Sequence, residues 1–288
     1  MNSVRARFFR QMPINLALMA MVLFCLFPLY WSLVSSLKDR NELYESTPSL
    51  IVRRPTLENY RTVLTLTGGS QLPVYLANSL KVGLGAVFVQ FVAASMAGYA
   101  FARMKFRGRD LIFYSLVLML FVPRVGGLMA TYELMDFLHL RNTHVGLMLL
   151  FPSAISVSLL IMRQSFLAVP HELEEAAMID GANTWQIFTR IAIPMAQSAL
   201  TVISILMFLA TWGDFLTTYT LLDDPNLFTV SIAITQITGW STLFASNVAT
   251  TYGADNAAFI LAIAPVILVY VLAQKWFVRG FQEGIIKL

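Results

Sequence analysis

The chain has 288 residues, of which 57% are hydrophobic and only 12% charged, with a formal net charge of +4. A soluble domain carries about 25% charged residues, so this composition excludes an ordinary soluble protein and points to an integral membrane one. The basic residues stand at the ends of apolar runs, where they act as topology signals, so the positive balance does not describe a nucleic-acid-binding stripe.

Arg5, Arg7 and Arg10 precede an apolar run over about 14–37. A secretory signal core has about 7–15 residues, whereas a span needs about 20, so this run reads as a retained first helix with a cytoplasmic N-terminus. Cys25, the single cysteine, lies inside the run and has no partner for an internal disulfide. Residues 38–71 hold Pro48, Pro55 and Gly68-Gly69 and read as an external loop with a short helix near 57–66. The second span covers about 76–102 and is rich in small residues, among them Gly83, Gly85, Ala94 and Gly98. That is the composition of a helix buried among other helices. Arg103, Lys105, Arg107 and Arg109 then form a short basic loop that belongs inside. The third span covers about 111–130 and the fourth about 143–162, joined by an external link at 132–142.

Next comes the longest amphipathic interruption in the chain, a loop over about 170–192. Pro170 stops what precedes it and suits the opening of a new helix. Glu172, Glu174 and Glu175 complement the positive end of that helix's dipole. Leu173, Ala176 and Ala177 recur at helical spacing and give a short apolar face with small residues. Asp180-Gly181 breaks the helix, glycine being the usual left-handed C-terminal cap. A second helical run, 184–193, leads to Pro194. The pattern is helix, glycine elbow, helix: a docking knob on the inner face of the membrane.

The fifth span covers about 193–212 and the sixth about 257–277. Between them, 214–256 holds Asp214, Asp223, Asp224 and Asp255 but no Lys or Arg. Arg163 and Arg190 join the basic residues assigned inside, and the last outside loop carries none. The first outside loop breaks the trend with Lys38, Arg40, Arg53, Arg54 and Arg61. Six helices with both termini in the cytoplasm is the reading that the charge bias supports.

The chain has no G-x-x-x-x-G-K-[ST] phosphate loop. Its histidines, His139, His144 and His171, have no metal-ligand spacing and read as solvated loop residues. No catalytic set can be assembled by spacing, so energy must come from a partner. Arg124 lies deep in the third span, either lining a cavity or as a snorkelling or paired residue that keeps the helix in register. Asp214, beside Trp212 at the end of the fifth span, either lines a pathway or serves an interfacial role. Asn78, Ser79 and Lys81 stand near the outer end of the second span, and Tyr99, Tyr132 and Trp240 are rings that suit a sugar face.

The run EEAAMIDGA followed by IAIP resembles the EAA motif of permease subunits of bacterial ABC importers, in its carbohydrate-importer form. The matching positions are Glu175, Ala176, Ala177, Asp180, Gly181, Ala182 and Pro194. Asn78-Ser79, the GYAFAR run at 98–103 and the short C-terminal tail are similar to the same family's pattern. Trp212-Gly213-Asp214-Phe215 resembles its W-N-D-F signature, with Gly213 in place of the asparagine. The resemblance implies an all-α integral membrane protein, one permease domain over 1–288 of the type I importer kind, with six transmembrane helices and a cytoplasmic coupling-helix loop. It implies a multi-pass protein of the cell inner membrane. It also implies a second permease as heterodimer partner, two ATPase subunits and an extracytoplasmic solute-binding protein, with no nucleic acid. No cofactor belongs to this chain, and ATP-Mg belongs to the partner ATPase. Glu175 is implied as a polar contact with that ATPase, Ala176 and Ala177 as close-packing positions, and Gly181 as the elbow. Asn78, Arg124 and Asp214 are candidates for the substrate pathway. The implied cargo is a sugar or oligosaccharide. An acidic oligosaccharide or glycerol phosphodiester, toward which Arg124 points, and ion-coupled secondary transport are the alternatives.

Overall fold

A computed structural model describes residues 2–65, 72–122, 125–237 and 252–285, with side chains described over 12–65, 72–122, 126–236 and 252–274. Among these residues there is no strand; the only sheet-like pairing is an isolated antiparallel bridge between Lys38 and Pro55. In chain order the α-helices are α1 (Asn2–Ser36), α2 (Arg40–Leu43), α3 (Glu58–Thr65), α4 (Leu72–Arg103) and α5 (Arg109–Leu118). They continue with α6 (Leu128–Phe137), α7 (His144–Leu150), α8 (Ser156–Leu167), α9 (His171–Ile179) and α10 (Thr184–Ile187). The last are α11 (Ile193–Met195), α12 (Gln197–Trp212), α13 (Leu216–Leu221), α14 (Val230–Ile237) and α15 (Tyr252–Ile285).

Three stretches are long and apolar enough to cross a membrane unbroken: Met12–Ser36, Leu72–Arg103 and Tyr252–Gln274. Two more are bent pairs, His144–Ser153 with Ser156–Leu167 at 60° and Thr184–Met195 with Gln197–Trp212 at 76°. The described residues therefore hold three to five candidate spans, where the sequence reading expects six. The difference lies in the third span, 111–130. Hydropathy reports composition, not continuity, and this stretch is divided between α5 and α6 by two short 3-10 turns, Met119–Phe121 and Val125–Gly127. Pro123 and Arg124 lie outside the described residues. The fifth span also starts later than 193: the bend falls at Ala196, so Ile193–Met195 continues the helix of the preceding loop.

By packing, the chain forms two compact units, residues 1–72 with 234–264 and residues 73–233 with 265–288. In the first, α1 presents apolar side chains on every side over residues 12–30, Phe24 being 81% exposed, as suits a helix surrounded by lipid or by other chains. The carbonyl of its last residue, Ser36, and that of Lys38 just beyond it accept from the Asn59 side-chain amide at 2.9 and 2.8 Å. Beyond α1, Glu42 is the hub of the next loop: its carboxylate accepts from the amides of Arg53 and Arg54, at 2.9 and 3.0 Å, and from the Ser49 hydroxyl at 3.1 Å. Burial pushes this carboxyl up, but the Arg53 and Arg54 amides, Ser49 and the Lys38 ammonium together outweigh it and hold it below its ordinary value. Lys38 itself is buried, over the Trp31 ring at 5.2 Å, and Arg53 pairs with Glu45. Two of the basic residues that break the charge trend thus have structural work in the loop.

In the second unit the core gathers around the C-terminal half of α4, with Tyr99, Met162, Phe166, Phe188 and Ile203 in one buried cluster. Gly98 permits it, since a Cβ there would lie 2.6 Å from that of Met162. Arg163 is not a loop charge. It stacks on Phe113 at 4.4 Å and donates to the Phe101 carbonyl at 3.4 Å. Gln90 donates to Ser158 within the same packed region, and Ser156 ties α8 to α5 through the Leu116 carbonyl at 2.6 Å.

Candidate functional site: the helix–elbow–helix loop

Pro170 precedes the first turn of α9 as its cap residue, outside the helix, and Leu173 donates to its carbonyl at 3.3 Å. The C-terminus ends as the sequence predicts. Gly181 takes φ 83°, the amide of Gly181 reaches the Met178 carbonyl at 3.0 Å, and that of Ala182 reaches Ala177 at 2.9 Å. These paired bonds are the Schellman motif, which satisfies carbonyls that the helix end leaves open. Asn183 then caps α10 in a reciprocal box with Gln186, at 2.9 and 2.8 Å. After α10 the helix widens into a π turn, Phe188–Ala192, in which Ile193 donates to the Phe188 carbonyl five residues back. Pro194 has no amide to give the carbonyl four residues before it, and a π turn is one way a helix absorbs that loss.

The burial pattern of α9 inverts the usual amphipathic order. Its one buried residue is a charge, Glu174. Leu173, Met178 and Ile179 are 45%, 54% and 87% exposed, and Trp185 on α10 is 62% exposed. Glu175, Ala176, Asp180 and Gly181 are exposed, Ala177 and Ala182 are half-buried, and Pro194 is exposed. One charge, Glu174, is turned inward while Leu173, Met178, Ile179 and Trp185 stand outward beside the exposed Glu172, Glu175 and Asp180, an exposed apolar patch rimmed by polar residues.

The inward charge has a partner that sequence reading did not find. Nε of Arg103 lies 3.1 Å from Oε1 of Glu174, both side chains being about 5% exposed. A second guanidinium nitrogen of Arg103 donates to the Val169 carbonyl, just before α9. Arg103 is the last residue of α4, so it is an anchor of the loop rather than a solvated topology charge.

The polar residues expected along a pathway have partners within the chain. Asn78 donates to the carbonyls of Asn226 and Phe228 at 2.8 and 3.0 Å, and the Ser79 hydroxyl accepts from the Val230 amide at 2.7 Å. The two residues hold the chain as it enters α14. The Asp214 carboxylate caps α13, accepting from Thr217 and from the Thr218 amide at 3.0 and 3.1 Å. Arg124 and Trp240 lie outside the described residues. His144 departs from the solvated reading: it is buried, with Nε2 2.9 Å from the Leu227 carbonyl. Among the described residues no cluster of His, Cys, Asp or Glu suits a metal ion. A groove of about 610 Å³ does lie in the second unit, between α4 and α12, with Leu84 and Phe91 on one wall. Gln197, Thr201 and Ser204 form a polar stripe on the other, at helical spacing, and neither Asn78 nor Asp214 lines it.

Residues 79–283, and with them the whole loop, match the family described as binding-protein-dependent transport system inner membrane component. The chain belongs to that family. It is 31% identical to the maltose/maltodextrin transport system permease protein MalG of Vibrio parahaemolyticus, over 97% of this chain and 96% of that one. It is 27% identical to the galactooligosaccharides transport system permease protein GanQ of Bacillus subtilis, over 96% of each. Among solved structures, a chain of a bacterial ABC transporter involved in import of the acidic polysaccharide alginate aligns with a TM-score of 0.82 at 21% identity, over 95% of this chain and 98% of that one. This likeness establishes a shared fold. The protein is therefore a multi-pass inner membrane transport component and permease, as its motifs imply.

Proposed function

We propose that this chain is one permease subunit of an ATP-driven importer for a sugar or oligosaccharide. It pairs with a second, different permease to form the pathway, and two ATPase subunits dock beneath the pair. One of them receives the 170–192 loop, and an extracytoplasmic solute-binding protein delivers the cargo. Both termini are cytoplasmic, and ATP-Mg is bound and hydrolysed by the ATPase alone. The observation that carries this reading is the inverted loop: α9 exposes Leu173, Met178 and Ile179 and buries Glu174. An exposed apolar set on a capped, rigid helix suits insertion into a groove of another protein. The relatives named for maltodextrin and galactooligosaccharide transport support the sugar cargo. In the mechanism, closure of the ATPase pair moves the docked α9, and the bundle exchanges access from one side of the membrane to the other.

The test is affinity purification of the tagged chain from native membranes, with mass spectrometry of what accompanies it. The expected companions are an ATPase, a second permease and a solute-binding protein. The binding protein is then titrated with maltodextrins and galactooligosaccharides. A chain that purifies alone and without ATPase activity contradicts the reading.

A further inference from the structure

We infer that Glu174 is a positioning residue that, through Arg103, ties the docking helix α9 to the end of α4, so that a push on the loop is delivered to that helix. The inference rests on the docking role proposed above and goes beyond it by naming the joint.

The attachment of α9 to the rest of the second unit is narrow. Its only buried side chain is Glu174, and its exposed apolar residues point away from this chain. Glu174 Oε1 and Arg103 Nε are both buried and have no hydrogen-bond partner among the described residues, so what compensates each is the 3.1 Å charge pairing with the other. Arg103 also donates to Val169 and so holds both sides of the Pro170 turn from which α9 leaves. Behind Arg103 the end of α4 is packed hard. Tyr99 meets Phe166 edge-on at 5.6 Å and Phe188 at 5.1 Å. A displacement of α9 therefore reaches α4 through Arg103, by its ion pair with Glu174 and its bond to Val169, backed by a packed aromatic cluster. An apolar contact would hold α9 as firmly but would let it slide and rotate. Polar pairs in a dry setting fix register, at little or no gain in stability over well-packed apolar groups.

That distinction supplies the experiment. A single Glu174→Gln change leaves the buried guanidinium without its carboxylate and is open to misfolding, so the double change Arg103→Met with Glu174→Leu is the informative variant. It replaces the pair by groups of similar size. The assembled transporter is prepared with Leu84→Cys in the groove and Cys25→Ser, and labelling of the thiol introduced at position 84 by a maleimide is measured with and without ATP and vanadate. In the otherwise wild-type complex, labelling is expected to change with nucleotide. In the double variant the ATPase is expected to co-purify in equal amount, because the exposed face of α9 is untouched, while the nucleotide-dependent change is lost. A double variant whose groove thiol responds as in wild type overturns the inference. So does one that loses ATPase binding, because the pair then only shapes the docking surface. Failure of the ATPase to accompany the otherwise wild-type chain would instead sink the docking role itself.

Discussion

The amide of Ala182 donates to the carbonyl of Ala177 at 2.9 Å, a bond made possible by the turn at Gly181, whose φ is 83°. A side chain at such a φ costs about 1–2 kcal/mol. A Cβ at Gly181 would nevertheless meet nothing within 4 Å of this chain. Backbone strain and docking can therefore be separated. Gly181→Asn, which tolerates the left-handed conformation, is expected to keep near-normal uptake. Gly181→Trp carries that backbone cost but sets a bulky ring on a Cβ that has open space around it in this chain, so it is expected to insert normally and, by obstructing a partner, to uncouple ATP hydrolysis from uptake. Uptake and ATPase rates of the two variants in proteoliposomes decide the point; equal damage in both would place the cause in the backbone.

Asn142 joins two loops of the second unit. Its Oδ1 accepts from the amides of Asp223 and Asp224, both at 3.0 Å, its own amide donates to Leu221 at 2.8 Å, and its φ is 54°. Asn142→Ala removes two hydrogen bonds worth about 1 kcal/mol each and adds the strain of alanine at positive φ. Thermal unfolding in detergent should show a loss of about 3–4 kcal/mol. Asn142→Gly relieves the strain and should lose less.

Glu42 makes the 39–54 loop acid-sensitive. Its carboxyl is held below the ordinary 4.5, so the stability it contributes is complete above that value and is lost as the pH falls through the lowered one. Amide exchange at Arg53 and Arg54, corrected for intrinsic rates, should show protection at neutral pH that fades only on the acid side of 4.5. In Glu42→Gln the protection should be weaker at pH 7 and should no longer vary with acidity.

What is legible in the sequence is what the backbone decides locally. Gly181 announces a left-handed turn whatever surrounds it, and the spacing of Glu175, Ala176, Ala177 and Pro194 carries the family pattern within some twenty residues. The pairing of Arg103 with Glu174 is not legible, because it depends on which helix ends meet in space, and a basic residue after an apolar run reads first as a topology charge. The partners of Asn78 and Asp214 are hidden for a related reason. A polar group near a span suggests a pathway, yet these two serve backbone acceptors and donors of segments distant or irregular in the chain. In the third span, an apolar composition does not reveal the break between α5 and α6.

The docking of α9 is open to a direct measurement. A benzophenone amino acid is placed at position 179, where Ile179 is 87% exposed, or at position 51, where Ile51 is 72% exposed in the 39–54 loop. Cells are irradiated and the adducts are identified by mass spectrometry. The account predicts a cross-link from position 179 to the ATPase subunit and none from position 51. Absence of an ATPase adduct at 179, or equal adducts from both positions, would contradict it.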